Sequence, residues 1–140
     1  YLFDRHSIDE YIEEAQSARV ELPSGGWVMF ETTQAMTTID VNSGNHDAPA
    51  RAVNLEAAQI IARQIRLRGL GGLIAIDFID MTESLDGEAV LQALDEGFTG
   101  DKQPVRIGPM SEFSVVEMTR RRGGMTLAQS LQQIRPAVDE

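Results

Sequence analysis

The sequence predicts an α/β fold in which helices pack on a layered mixed sheet. Short β-branched runs alternate with longer segments whose apolar residues recur every three or four positions, as in strands alternating with amphipathic helices. The apolar fraction of 42% over 140 residues is ordinary for one domain with a buried core. No apolar run approaches the roughly 18 residues that span a bilayer, so no transmembrane segment is expected.

The first part of the chain predicts a helix, a hairpin and a third strand. Ser7 and Glu10 have the spacing of a capping box, and an apolar stripe at helical spacing follows them. Extended runs at 19–22 and 27–32 flank a Pro-Ser-Gly-Gly turn, which predicts a β-hairpin. The alternating β-branched run 36–42 is then the third strand.

The middle of the chain predicts a helix, a buried strand and a further helix. After a polar loop, Asn54 is a candidate N-cap for a helix that ends at Gly69, where a left-handed C-cap is favoured. The apolar run 73–79 is typical of a strand covered on both faces, and we expect it at the centre of the sheet. A further helix is expected over 85–98.

The order of these elements predicts how the sheet is connected. A strand, a helix and a buried strand in succession predict a crossover between parallel strands, whose carboxyl ends meet at one edge of the sheet. Strands at 105–107 and 114–119 complete the predicted sheet. The polar residues 123–140 are expected to form a weakly ordered tail or a short helix.

Acidic and amide side chains lie where the two parallel strands are expected to end. Asp40 and Asn42 are two residues apart on a strand, so they share a face. Asp77 follows an apolar run in which its charge is costly unless it is paired, hydrogen-bonded or bound to a cation. Oxygen ligands of this kind suit Mg²⁺. The alternative is structural, with an aspartate that caps the following turn and an asparagine that bonds loop backbone.

Other polar and aromatic side chains have more ordinary interpretations. Asp80 lies three positions after the second aspartate, on the opposite face by strand alternation, and is expected to be structural. His6 and His46 lack ligand spacing and are expected to be exposed to solvent. Trp27 and Phe113 are expected in the core rather than as base-stacking platforms.

The charge balance is acidic, with 12 basic and 22 acidic residues and a net charge of −10. Taken alone, this argues against a nucleic-acid binder, because Lys and Arg supply most of the affinity for phosphate. It permits a small acidic metal site that meets RNA with help from basic surfaces elsewhere. Arg106 is a candidate phosphate contact, whereas the basic run 120–122 is expected to be a solvated face. The absence of cysteine excludes disulfides and thiolate metal sites.

Three blocks of the sequence together carry a family resemblance. They are ELPSGGWVMFETTQAMTTIDVNSG, NLEAAQIIARQIRLRGLGGLIAIDFIDM and FSVVEMTRRR, and they extend over nearly the whole chain. In these blocks the chain resembles the catalytic region of the ribonuclease E/G family, specifically its deoxyribonuclease-I-like subdomain. The resemblance implies that Asp40 and Asp77 bind the catalytic Mg²⁺, for which Mn²⁺ can substitute, and that Asn42 supports this site by hydrogen bonding. Residues 1–122 would then be a catalytic metal-binding subdomain of a larger enzyme.

The activity implied by the resemblance is hydrolysis of phosphodiesters in single-stranded RNA, leaving 5′-phosphate and 3′-hydroxyl ends, in bacterial cytoplasmic RNA processing and decay. The implied partners are single-stranded RNA, other domains of the parent enzyme and a second copy of the full-length protein. Arg106 matches a basic position of the family. The loop at 43–54 is shorter than in the best-known members, and the cysteines that link their protomers through zinc are absent.

Two alternatives to a full ribonuclease activity remain open at this stage. The acidic surface and the short loop suit a catalytically weak relative that acts as a binding or scaffold module. The same acidic pair would also serve an Mg²⁺-dependent enzyme acting on DNA or nucleotides. The 140 residues alone are expected to cleave RNA poorly, because the RNA-binding domains of the family lie outside them.

Overall fold

The computed structural model describes residues 17–44 and 47–123, which form a six-stranded sheet and two helices. The strands are β1 (Arg19–Glu21), β2 (Trp27–Thr32), β3 (Thr37–Asn42), β4 (Gly72–Asp77), β5 (Val105–Met110) and β6 (Val115–Arg120). The helices are α1 (Ala50–Arg68) and α2 (Ser84–Glu96). The predicted α/β class is confirmed. The helix expected after Ser7 and residues 124–140 of the expected tail lie outside the described residues.

The sheet has the strand order β1-β2-β3-β4-β6-β5. Among the described strands, β3 and β4 are parallel and the other neighbouring pairs are antiparallel. Helix α1 connects β3 to β4, so the predicted crossover is confirmed. Strand β4 lies between β3 and β6, which confirms its predicted central place. No described helix is long and apolar enough to cross a membrane.

Both helices cover the same side of the sheet, and the core lies between them and the strands. The most buried aliphatic side chains, each at most 1% exposed, are Val28, Ile39, Ile74, Ile76 and Val116 of the sheet and Val53, Ile61, Ile65, Val90 and Leu94 of the helices. The apolar stripe predicted for the central helix is therefore the stripe that α1 buries. This arrangement leaves one surface of the sheet without a helix from the described residues.

The expectation that β4 is covered on both faces is wrong for the described residues. Ile74 and Ile76 are fully buried under the helices, whereas Leu73 is 40% exposed on the other side. The run is apolar at every position because Leu73 and Ala75, which lie on the uncovered side, are also apolar. Apolar residues are common on protein surfaces, so an unbroken apolar run does not require burial of both faces. We call this uncovered side the open face; it carries Asp40, Leu73, Asp77, Arg106 and Glu117.

Helix α1 begins at Ala50, so the expectation that Asn54 is its N-cap is wrong. Pro49 occupies the N-cap position with φ −57° and ψ 143°. Proline is favoured at a helix start because its φ is already suitable and the first N–H groups have no partner within the helix. At the other end, Gly69 adopts the left-handed conformation with φ 67° and ψ 33°, which confirms the predicted C-cap.

The basic run 120–122 is not a uniform solvated face, because Arg120 is buried. Its Nε and Nη2 atoms donate to the two carboxylate oxygens of Asp101 at 2.9 and 3.0 Å. Its Nη1 atom donates to the carbonyl oxygen of Leu70 at 2.8 Å. Strand alternation places Arg120 on the same side as Val116 and Met118, under the helices. The ion pair therefore ties β6 to the segment after α2 and to the turn before β4.

Candidate metal centre

Asp40 and Asp77 lie side by side on adjacent parallel strands. They are register partners in the ladder between β3 and β4, in which strands are about 4.8 Å apart. Their neighbours Ile39 and Ile76 point into the core, so alternation places both carboxylates on the open face. The predicted meeting of the two aspartates at one edge of the sheet is confirmed, and it follows from the crossover that makes their strands parallel.

The two carboxylates form a concentration of negative charge. Partial burial raises the pKa of Asp40 above its ordinary value, and the negative charge of Asp77 raises it further. Within the described residues, neither carboxylate takes part in a salt bridge or accepts a hydrogen bond. A bound cation would relieve this repulsion, and an all-oxygen pair has the donor chemistry that Mg²⁺ prefers.

The described residues place two carboxylates, and no third candidate metal ligand, at this position of the sheet. The described residues contain no group of three or more His, Cys, Asp or Glu side chains that could hold a metal. Mg²⁺ commonly uses one or two carboxylates and keeps several waters that a substrate phosphate can replace. The Asp40–Asp77 pair therefore fits a site that leaves room for phosphate, rather than a closed cage made only of protein ligands.

The electrostatics of the pair predict that Asp40→Asn stabilises the metal-free protein at neutral pH. Because folding raises the pKa of Asp40, the folded chain holds its proton more tightly than the unfolded chain does. Stability therefore falls as pH rises from the ordinary Asp value of 3.8 through the raised pKa. Charge effects at exposed positions are typically about 0.2–1 kcal/mol, so we expect a gain of that order in the free energy of unfolding.

Urea unfolding in EDTA over a pH series would measure this gain. We expect the difference between variant and wild type to become small well below pH 3.8, where the carboxyl is protonated in both folded and unfolded chains. Asp95→Asn, on the exposed side of α2, is the control for loss of one negative charge. An Asp40→Asn variant that is less stable than wild type at neutral pH would contradict this account.

Asn42 shares the open face with Asp40 and organises the turn that follows β3. Its Oδ1 atom accepts a hydrogen bond from the backbone N–H of Gly44 at 2.8 Å. Gly44 has a φ of 67°, a conformation that side-chain-bearing residues rarely adopt. This is the bond to loop backbone that the structural interpretation of Asn42 expects. It makes Asn42 a positioning residue for the segment beside the acidic pair.

A buried amide in α1 holds the backbone beyond Asp77, a role that the sequence pattern alone did not predict. Asn54 is fully buried. Its Nδ2 atom donates to the carbonyl oxygen of Ile79 at 2.8 Å, and its Oδ1 atom accepts from the Ile79 N–H at 3.0 Å. A signal for this role was present, because Asn54 precedes Ala58 and Ile61 at the helical spacing of the apolar stripe.

Asn54→Ala is expected to lower the free energy of unfolding by about 1–3 kcal/mol, because the N–H and carbonyl of Ile79 would lose the partner they now share. Denaturant unfolding would measure the loss. Gln59→Ala, at an exposed position of the same helix, is the control and should change stability by less than about 0.5 kcal/mol. Equal effects of the two substitutions would show that the Asn54 contacts contribute little.

Asp80 lies beyond the end of β4 and away from the register position shared by Asp40 and Asp77. It accepts a hydrogen bond from the Ser114 hydroxyl at 3.3 Å. The same hydroxyl accepts a hydrogen bond from the Met81 N–H at 3.1 Å. These contacts join the segment after β4 to the turn before β6 and support the structural role expected for Asp80.

Arg106 and Phe113 are exposed on the same side of the sheet as the acidic pair. Arg106 faces Thr119 across the β5–β6 ladder and is therefore level with Leu73 of β4. It lies two strand spacings, or about 10 Å, across the sheet from β4, and about 13 Å along the strand direction from Asp77. Phe113 is 72% exposed, so the expectation that it belongs to the core is wrong. It occupies the turn between β5 and β6, where no described helix can cover it. Trp27 is partly buried, and the Arg19 guanidinium lies 4.0 Å from its ring centroid.

The chain is an α/β protein with two exposed carboxylates side by side at the ends of adjacent parallel strands. The model of the Ribonuclease E/G family matches residues 1–123. Ribonuclease E of Escherichia coli K12 is 43% identical over 141 residues, which cover 96% of this chain and 13% of that protein. Ribonuclease G of Salmonella typhimurium SL1344 is 42% identical over 127 residues, covering 86% and 26%. The chain belongs to the ribonuclease E/G family and spans 13% and 26% of the length of these two relatives.

Proposed function

We propose that this chain is the metal-binding catalytic subdomain of an Mg²⁺-dependent endoribonuclease. Its reaction is hydrolysis of phosphodiesters in single-stranded RNA to 5′-phosphate and 3′-hydroxyl ends, in bacterial cytoplasmic RNA processing and decay. The observation that carries the proposal is the register pairing of Asp40 with Asp77 on an exposed sheet face. The names of the relatives, ribonuclease E and ribonuclease G, support RNA as the substrate.

In this proposal the side chains of the protein position the metal ion and the RNA and supply charge, and none of them acts as the nucleophile. Asp40 and Asp77 hold the ion on two strands whose other faces are locked into the core. When bound there, Mg²⁺ supplies Lewis-acid charge for the phosphoryl oxygens and makes water more acidic. Asn42 fixes the turn beside Asp40, and Arg106 contacts an RNA phosphate on the same face. No helix of residues 17–44 and 47–123 covers this face, so within them a strand of RNA has room to approach.

The net charge of −10 limits how tightly this subdomain can bind RNA by itself. The acidic chain repels phosphate, and the ion neutralises that charge only locally. Because the chain spans at most 26% of the length of the relatives described above, we propose that other parts of a parent enzyme supply much of the affinity for RNA. The 140 residues alone should then bind the ion but cleave RNA slowly.

Paramagnetic broadening of NMR signals by Mn²⁺, as a substitute for Mg²⁺, is the direct test of the site. We expect broadening centred on Asp40, Asn42 and Asp77 in the wild type. The Asp40→Asn/Asp77→Asn double variant should fold and lose it, since both side chains are exposed. Asp80→Asn is the matched control and should keep it. Absence of localised broadening in a folded wild type would reject the metal site and favour the binding or scaffold alternative.

A further inference from the structure

A basic groove lies on the helical side of the domain, near the start of β4. One wall is formed by Arg63 and Arg66 of α1, and the other by Lys102 in the segment after α2. The Asp101–Arg120 ion pair lies between the walls. The acidic pair is at the opposite end of β4, about 16 Å away along the strand, and on the opposite face. The groove is therefore separate from the candidate metal centre.

The groove carries positive charge that the described residues do not neutralise. Arg63, Arg66 and Lys102 are exposed, and none of them forms a salt bridge with a described residue. The charge of Asp101 is already matched by Arg120. Like charges three residues apart, as at Arg63 and Arg66, disfavour a helix. The charge of Arg66 also lowers the pKa of Asp101, so Arg63 and Lys102 are the cations of the groove for which the described residues show no ionic partner, in a chain whose net charge is −10.

The groove is held in shape by close packing of its walls. Gly97 ends α2 directly against α1, since a Cβ atom there would collide with the Cβ of Ala62. Arg66 donates from Nη1 to the carbonyl oxygen of Gly97 at 3.3 Å. The Gln103 N–H donates to Asp101 at 3.2 Å, which fixes the segment that carries Lys102. A ligand would therefore meet a largely preformed surface.

We propose that the basic groove binds phosphate groups of an RNA strand at a distance from the acidic pair. This inference rests on the proposed function, because that function supplies RNA as the partner. Guanidinium groups bind phosphate through two parallel hydrogen bonds, and lysine adds a point charge. Gln59 and Gln103 in the same groove offer amide donors. No aromatic ring lines the groove among the described residues, so it contacts backbone rather than bases and binds without sequence preference.

The test is the salt dependence of RNA binding by the Arg63→Gln/Lys102→Gln variant. Both side chains lack described hydrogen bonds and ion pairs, so the variant should fold. Binding of a labelled oligouridylate to the 140-residue chain is measured in EDTA, which prevents cleavage. Each phosphate contact on a single strand contributes about 0.7 to the slope of log K against log salt, so the slope should fall by about 1.4. Affinity at low salt should fall at least about tenfold.

The matched control is Arg19→Gln/Arg51→Gln, which changes the net charge equally but removes side chains outside the groove. This control should lower the slope of log K against log salt by less than half of the decrease expected for Arg63→Gln/Lys102→Gln. Equal slopes for the two double variants would overturn the inference, and so would an absence of RNA binding by the folded wild type. The Mn²⁺ measurement is independent of the groove. A failed metal site with intact groove-dependent binding would therefore reject the proposed catalysis while supporting this inference.

Discussion

Replacement of Asp40 or Asp77 by Asn is expected to reduce RNA cleavage by the parent enzyme at least about 100-fold, the effect of losing about 3 kcal/mol of transition-state stabilisation. The two carboxylates are the ligands of the proposed Mg²⁺, and a neutral amide is a much weaker ligand for it. Both side chains are exposed and accept no hydrogen bond from a described residue. The fold should therefore survive, and single-turnover cleavage of a labelled RNA would measure the loss.

The matched control for this loss is Asp80→Asn. It makes the same chemical change three residues after Asp77, at a side chain that bonds Ser114 and lies away from the Asp40–Asp77 pair. We expect cleavage within about threefold of wild type, since an amide oxygen still accepts a hydrogen bond. Circular dichroism of each variant would verify folding. Retained Mg²⁺-dependent cleavage in a folded Asp40→Asn or Asp77→Asn variant would falsify the catalytic assignment.

Arg120→Met is expected to lower the free energy of unfolding by about 3–5 kcal/mol. The Arg120 and Asp101 side chains are 7% and 6% exposed, so removal of the guanidinium leaves a buried carboxylate without its cation. The carbonyl oxygen of Leu70 also loses its donor. The loss should exceed that expected from an exposed charge in the domain, because both side chains have little contact with solvent and the remaining carboxylate is poorly hydrated. Denaturant unfolding would measure it.

Two further measurements identify the ion pair as the cause. Arg121→Met changes an exposed neighbour of the same type and should alter stability by less than about 0.5 kcal/mol. The Arg120→Met/Asp101→Leu double variant removes both charges and should recover part of the loss. The two residues would be uncoupled if Asp101→Leu destabilised the Arg120→Met variant as much as it destabilises the wild type.

The same ion pair predicts a loss of stability in acid. The hydrogen bonds from Arg120 lower the pKa of Asp101 below its ordinary value of 3.8, although burial opposes them. A lowered pKa means that the pair contributes its full stability above pH 3.8 and loses it as pH falls through the lowered pKa. This acid-dependent loss should be absent from Arg120→Met, and unfolding over a pH series would reveal the difference.

The features that the sequence predicted correctly depend on neighbours along the chain. The alternation at 36–42 marks strand β3, and the glycine at position 69 marks the end of α1, because strand faces and C-caps are set by local backbone geometry. The crossover follows from the length of the connection between β3 and β4. These local rules are enough to place Asp40 and Asp77 at one edge of the sheet.

The roles of several polar side chains depend on partners far apart in the chain. Asn54 has the chemistry of a helix cap, but its amide binds Ile79, which is 25 residues away. Arg120 belongs to a basic run that resembles a solvated surface, yet its guanidinium pairs with Asp101 inside the domain. Burial and pairing of a polar side chain depend on which distant group meets it. Local sequence patterns therefore specify the strands and helices and the placement of the acidic pair, whereas three-dimensional packing sets which polar groups are buried in the fold and which remain exposed.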